Sequence, residues 1–340
     1  MKKFKELPIG KKLLYLSLAT RISVLLLISF FAAMNIFLNY KSGYNSARLV
    51  SLSSGPLAGG LYWMMDGFLS LFGNSATILQ SSGGMTWSIR IFGFPFTDPV
   101  AAMSFFIKNR SFETGFFLGL AVPVTLAAVF GRVFCSYICP ASLLFFFTSR
   151  IRRLIEPYFF LPRISLSSGF AWGMLFGGLL TAYFFGHGIW TLILPYFAMG
   201  QVIFHGIAFG TISAVMLSII FYALLDLFLG QQFTCRYVCP TGRLLGFIGK
   251  RAFVSVRRDP ASCLPKCNSC AEVCPMGVSP RMDETVNCTL CGECMVICPG
   301  NCLKPGQRDT TKNISDRILK ELITFKQKTQ NTLKETAEEK

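Results

Sequence analysis

The chain has 340 residues, 52% of them hydrophobic and 15% charged, with 34 Phe. That balance excludes a water-soluble enzyme of two or three domains and indicates a membrane protein. A net charge of +16 would suit nucleic acid, but the cations sit beside apolar segments rather than on one polar face, which excludes that partner.

The basic start, residues 1–21, opens MKKFKELPIGKK and runs into an apolar stretch with no small-residue cleavage site. It reads as a cytoplasmic segment leading into a retained anchor. Four apolar stretches, about Ile22–Leu38, Phe116–Phe134, Gly169–Leu194 and Ile207–Leu229, each approach the roughly 20 residues needed to cross a bilayer core. In the long first connection, Leu61–Phe72 contains Asp66 and a glycine. It reads as an outer-surface or re-entrant piece rather than a fifth span. Trp63, Trp87 and Trp190 read as interface anchors.

Lysines 2, 3, 5, 11 and 12 precede the first span, arginines 132, 150, 152, 153 and 163 fall between the second and third, and Arg236, Arg243, Lys250, Arg251, Arg257 and Arg258 follow the fourth. The connection 195–206 has no Lys or Arg. The positive-inside rule then places both termini in the cytoplasm of a prokaryotic inner-membrane protein, where a reducing environment keeps thiols free.

The segment 22–258 contains a repeat. Pro99-Val-Ala-Ala-Met103 precedes the second span and Pro195-Tyr-Phe-Ala-Met199 the fourth; FCSYICP (Cys135, Cys139) closes the second and TCRYVCP (Cys235, Cys239) the fourth. Each half reads as a helix, an outer P-x2-A-M turn, a helix and an inner C-x3-C-P, the copies related by an axis along the membrane normal. Cysteines four apart share a helix face, so these pairs are candidate redox or metal thiols, against the plainer reading of packed apolar thiols. Asp98, His187 and His205, expected toward the outer side, are candidate quinone contacts, because intramembrane ionisable groups are expensive and tend to be functional. A haem ligand pair is the other reading of the histidines. Asp66 is a further candidate.

The segment 259–306 carries eight cysteines in two blocks, CLPKCNSCAEVCP and CTLCGECMVICP. The second has the C-x2-C-x2-C-x3-C-P spacing in which the cysteine before proline ligates the other of two cubane clusters. The expected assignment is Cys263, Cys267, Cys270 and Cys298 on one [4Fe–4S] cluster, and Cys288, Cys291, Cys294 and Cys274 on a second. The first block opens Cys263-x3-Cys267 rather than x2. A zinc-ribbon pair prefers separated C-x2-C pairs, and a disulfide set suits an oxidising compartment, so both are disfavoured. Cys302 reads as a packed thiol, and residues 307–340 as a charged amphipathic tail.

The expected fold is an α-helical membrane protein, a four-helix transmembrane bundle of two parallel repeats plus a small cytoplasmic bacterial-type 2[4Fe–4S] ferredoxin domain. FCSYICP, TCRYVCP, the double cysteine block, FPFTDPVAAM and LPYFAMG together resemble the NapH family of ferredoxin-type membrane proteins, with related modules in NosR-, MauN- and CcoG-type proteins. The resemblance implies a quinol dehydrogenase component that takes electrons from menaquinol or ubiquinol. It would pass them through two [4Fe–4S] clusters to other redox subunits, such as a multihaem cytochrome, a ferredoxin-like protein or a terminal reductase. The alternative is a CcoG-like maturation factor that reduces a metal ion or a disulfide through the C-x3-C-P thiols. The charged tail is too short for the extra folded domain such factors carry.

Overall fold

A computed structural model of the chain describes residues 8–43, 60, 64, 67–74, 77–78, 83–85, 88–91, 93–110, 114–209, 214–264, 267–280 and 287–307. Residues 61–63, 65 and 66 of Leu61–Phe72, which include Trp63 and Asp66, lie outside them, as do Trp87 and the charged tail from 308 onward.

Helix α1 covers Ile9–Gly43 and starts well ahead of the apolar run. Lys11 and Lys12 are good helix formers, and the first turn packs on the cysteine domain: a Cβ on Gly10 would lie 2.7 Å from the Met295 Cβ. The far end of α1 packs through Phe31 and Met34 on Leu69, beside the antiparallel meander β1 (Gly83–Met85), β2 (Ser88–Ile91) and β3 (Phe94–Thr97).

Strand β3 delivers Asp98 to the start of α2 (Pro99–Asn109). Val100 N–H and Ala101 N–H donate to Asp98 Oδ1 at 2.8 and 3.1 Å, and Pro99 occupies the first helical position, where no N–H is needed. The P-x2-A-M stretch is therefore a helix start rather than a turn. The same holds for Pro195, which opens α9 below.

The expected span 116–134 is three pieces: α3 (Thr114–Leu118), α4 (Ala121–Phe130) and α5 (Val133–Tyr137). It breaks first at Gly119, whose carbonyl accepts from Thr97 N–H at 3.1 Å. It breaks again at Gly131, whose φ of +70° suits glycine. Next comes α6 (Ala141–Ile155), then α7 (Ser168–Phe185). Helix α7 stops at Gly186 with φ +91°, so the expected span 169–194 ends early. A single 3-10 turn His187–Ile189 and α8 (Trp190–Ile193) follow. Trp190 is not an interface anchor: it is 0% exposed and its Nε1 donates to Ser104 Oγ at 3.0 Å.

The expected span 207–229 is divided between α9 (Pro195–Phe209) and α10 (Met216–Phe228). A wide π-type turn, Thr234–Val238, then leads into α11 (Pro240–Ile248). The cysteine domain has strand β4 (Val254–Arg258), short helices α12 (Ser269–Glu272) and α13 (Glu293–Ile297), and β5 (Leu303–Gln307). Its strands close antiparallel, with Val254 opposite Gln307 and Arg258 opposite Leu303.

Among the described residues, Ile9–Met34 and Ser168–Phe185 are long and apolar enough to cross a membrane; Ala121–Phe130 and Met216–Phe228 are shorter apolar helices. The main core joins α2, α6, α7, α9 and α10 through Val100, Phe145, Leu175, Phe197 and Tyr222. A second core, built on Val256, Leu290, Met295 and Leu303, holds the cysteine domain. Arg152 is fully buried and donates to the carbonyls of Leu227 at 2.5 Å and Pro162 at 2.7 Å, satisfying acceptors that the end of α10 leaves orphaned.

Candidate redox site

The eight cysteines of the two blocks line two cavities of nearly equal size. One, about 360 Å³, is lined by Cys263, Cys267, Cys270 and Cys298, with Arg258, Leu264 and Cys302. The other, about 350 Å³, is lined by Cys274, Cys288, Cys291 and Cys294, with Val256, Met276 and Val278. In each, the cysteine before proline stands with the three cysteines of the other block. All thirteen cysteines are free thiols. No group of three or more His, Cys, Asp or Glu among the described residues has the spacing to hold a single metal ion.

The donor set fits a thiolate-bound cluster. Four block cysteines line each cavity, and backbone N–H groups point at sulfur: Val278 to Cys274 and Leu290 to Cys288, both at 3.4 Å. Such N–H donors are one of the levers that set cluster potential. Leu290 adopts φ +55° at this contact. Burial raises the Cys274 thiol above its ordinary range. Burial, reinforced by the Glu293 charge, pushes Cys291 up to about 12. Without a positively charged core to bind, these thiols stay protonated. Cys302 is 5% exposed, and its sulfur is 3.3 Å from that of Cys298.

This domain is docked rigidly on the helices. Gly292, at φ +84°, leaves room for α1, since a Cβ there would lie 2.8 Å from the Gly10 carbonyl. Tyr137 OH donates to the Leu290 carbonyl at 2.9 Å. Arg153 Nη2 meets Glu293 Oε2 at 2.8 Å, and the Arg236 guanidinium lies against Gly277.

The two C-x3-C-P motifs meet inside the helical module. Cys139 is within electrostatic reach of Cys135 and Cys239, and Cys235 is within reach of all three. Cys139, Cys235, Cys239 and Cys274 also belong to one apolar core. Two anchors fix the geometry. Asp226 Oδ1 accepts from Thr234 N–H at 2.8 Å, starting the π-type turn that presents Cys235. Arg132 Nη2 donates to the Cys235 carbonyl at 2.7 Å, its side chain lying against Gly242 and Gly246.

On the other side of these cysteines is a buried polar group. Thr241, two residues past Cys239, donates from Oγ1 to Asp98 Oδ1 at 3.2 Å. Tyr196 OH lies 3.4 Å from Thr241 Oγ1 and within hydrogen-bonding reach of Asp98. The starts of α2 and α9 thus converge beside the second motif, and Asp98 is within electrostatic reach of Cys239.

The histidines are elsewhere. His187 follows Gly186, which lies against Lys108 at the far end of α2, about 16 Å of helix from Asp98. His205 is in the last turns of α9, where its ring is edge-on to Phe204. Sequence reasoning missed Arg21, Arg132, Tyr196 and Thr241. Arg21, a cation in an apolar helix, carried the signal of an intramembrane charge; the others had none that one chain displays.

A family model described as "4Fe-4S binding domain" matches residues 113–157 and 208–258, the two segments that contain the C-x3-C-P motifs. The ferredoxin-type protein NapH of Haemophilus influenzae is 27% identical over 64% of this chain and 77% of its own. NapH of Escherichia coli is 25% identical over 60% and 72%. The methylamine utilization ferredoxin-type protein MauN of Paracoccus denitrificans is 28% identical over 67% and 72%. No solved structure gives a significant match. With relatives of one type aligned over most of the chain and thiol-lined cavities in the second domain, the chain is similar to the NapH-type ferredoxin proteins and is an iron–sulfur electron-transfer protein.

Proposed function

We propose that the chain is a multi-pass inner-membrane electron carrier that oxidises a quinol and relays the electrons through two [4Fe–4S] clusters to a redox partner subunit. The carrying observation is the order of groups in space. Asp98, Tyr196 and Thr241 meet beside Cys239, Cys139, Cys235 and Cys239 share an apolar core with Cys274, and the Cys263 cavity belongs to the same small domain. In this reading Cys274, Cys288, Cys291 and Cys294 hold one cluster, and Cys263, Cys267, Cys270 and Cys298 the other. When bound, such clusters supply one-electron transfer at a potential set by charge, hydrogen bonds and exposure.

Quinol oxidation releases two electrons and two protons. The Asp98 carboxylate is the acceptor placed to take the protons in turn, and the Thr241 and Tyr196 hydroxyls orient the headgroup by hydrogen bonds.

A membrane setting is supported by the surface. Helix α7 leaves Phe176, Leu180, Phe184 and Phe185 exposed, more apolar area than a water-facing helix carries. The cationic residues Arg153, Lys250, Arg251, Arg257 and Arg258 lie at the cysteine-domain end, which supports a cytoplasmic position for that domain. The assembly-factor reading has the same thiols but gives Asp98 no role.

The test is EPR of the anaerobically purified chain before and after addition of a menaquinol analogue. The reading expects both ferredoxin-domain signals to grow on quinol addition, and Cys291→Ala to remove one of them. Clusters that dithionite reduces and quinol does not would transfer preference to the assembly-factor reading.

A further inference from the structure

The cavity lined by Cys263, Cys267, Cys270 and Cys298 has a fifth thiol on its wall, Cys302. A cubane has four irons and takes one thiolate on each. The other cavity has its four cysteines and no fifth among its lining residues. We infer that Cys302 is an alternative ligand of the cluster at Cys263, exchanging with Cys263 at a single iron. Exchange presupposes that the Cys263 quartet holds a [4Fe–4S] cluster, and so rests on the electron-carrier reading.

The chain brings Cys302 there from two sides. After Cys298, Asn301 takes φ +48° and its N–H donates to the Cys298 carbonyl at 3.3 Å. This tight reversal returns the Cys302 sulfur to 3.3 Å from that of Cys298. On the other side, β4 and β5 pair Arg258 with Leu303, and Asp259 N–H donates to the Cys302 carbonyl at 2.8 Å. The turn that leads into Cys263 is thus laced to Cys302, and Gly300 lies against the Ser262 carbonyl, where a Cβ has no room. The Cys302 thiol is within hydrogen-bonding reach of Cys263 as well as Cys298.

Cys263 is the exchangeable corner. Its loop to Cys267 is one residue longer than the x2 spacing of the second block and contains Pro265. Cys263 is only half-buried beside Leu264, which is 50% exposed, whereas Cys302 is 5% exposed. A thiol that merely fills space packs on hydrocarbon; the Cys302 sulfur meets two other sulfurs. Arg258 lines the same cavity, and among the described residues its buried Nε has no hydrogen-bond partner. That cation favours the charged form of an incoming thiolate. In the exchange the Cys302 S–H bond breaks and its sulfur bonds iron as the Cys263–iron bond breaks. The proton passes to the Cys263 thiolate, and no electron moves.

The test is anaerobic treatment of the cluster-loaded chain with iodoacetamide, read by peptide mass spectrometry together with iron analysis and EPR. Cys263 is expected to be alkylated while iron content and both ferredoxin-domain EPR signals stay unchanged, with Cys267, Cys270 and Cys298 protected. In Cys302→Ala no substitute ligand remains, and alkylation of Cys263 is expected to slow by about tenfold or more. Equal rates in the two proteins would overturn the exchange. So would a Cys263 in the unmodified chain that is protected as fully as Cys267, or alkylated only with loss of iron, whether or not the variant folds. Absence of any ferredoxin-domain EPR signal after dithionite reduction would remove the cluster reading itself, and the exchange with it.

Discussion

Thr241 Oγ1 donates to Asp98 Oδ1 at 3.2 Å across 143 residues of chain, tying the start of α2 to the residue that follows Cys239-Pro240. The contact puts Asp98, an acidic quinone-contact candidate, beside the second cysteine motif, not at the far end of the module with His187.

Asp98→Asn separates structure from chemistry at this position. Asparagine caps a helix about as well as aspartate and still accepts from Thr241, so folding and cluster content are expected to persist. It cannot take a proton, and the rate of quinol-dependent cluster reduction is expected to fall by roughly 10²-fold or more. Stopped-flow absorbance with quinol and with dithionite makes the comparison; equal slowing with both reductants would assign Asp98 a purely structural role.

A second prediction concerns the irregular Cys263-x3-Cys267 loop. Cys302 lines the same cavity and lies 3.3 Å from Cys298, so it is placed to replace a lost ligand. Cys263→Ala is expected to retain a cluster with altered EPR line shape, whereas Cys263→Ala/Cys302→Ala loses about four irons. Cys267→Ala is expected to lose the cluster on its own. Loss of the cluster in the single Cys263→Ala variant would return Cys302 to a packing role.

The cysteine blocks were legible as motifs because their spacing is local, and the structure lines each of two cavities with three cysteines of one block and the cysteine before proline of the other. The apolar stretches were legible as composition but not as elements. A hydropathy window cannot see that Gly119 and Gly131 break one run into three helices, since the breaks answer to contacts with Thr97 and Ala252. Nor does the sequence reveal that Pro99 and Pro195 begin helices whose starts meet. That meeting depends on Thr241, a residue with no motif of its own. Trp190 shows the same limit: an indole reads as an interface anchor until Ser104 is found beside its Nε1.

The docking of α1 on the cysteine domain rests on Gly292. Its φ of +84° and the 2.8 Å approach of the Gly10 carbonyl exclude a side chain on two grounds. Gly292→Ala is expected to cost about 1–3 kcal/mol and to shorten the lifetime of the cluster at Cys288, Cys291 and Cys294. Iron release to a ferrous chelator during mild heating measures it, and an unchanged release rate would show that the domain holds its cluster without α1.

Arg21 is the remaining lever. Its guanidinium is within electrostatic reach of Cys291 and Glu293 on one side and of Cys139 and Cys235 on the other, and it is held by Ser136. A fixed cation favours the more negative, reduced form of any cluster it faces, so it holds the potential up. Arg21→Met keeps the length and removes the charge; the midpoint potential of the cluster at Cys291 is expected to fall by on the order of 50 mV, about a tenfold change in a one-electron equilibrium. Arg21→Lys, which keeps the charge but cannot make both Ser136 contacts, is expected to fall between. EPR-monitored redox titration reads the shift directly, and the Cys263 cluster, which Arg21 does not reach, serves as the internal reference. Equal shifts in both clusters would mean that the substitution loosens the docking of the whole domain rather than removing a local charge.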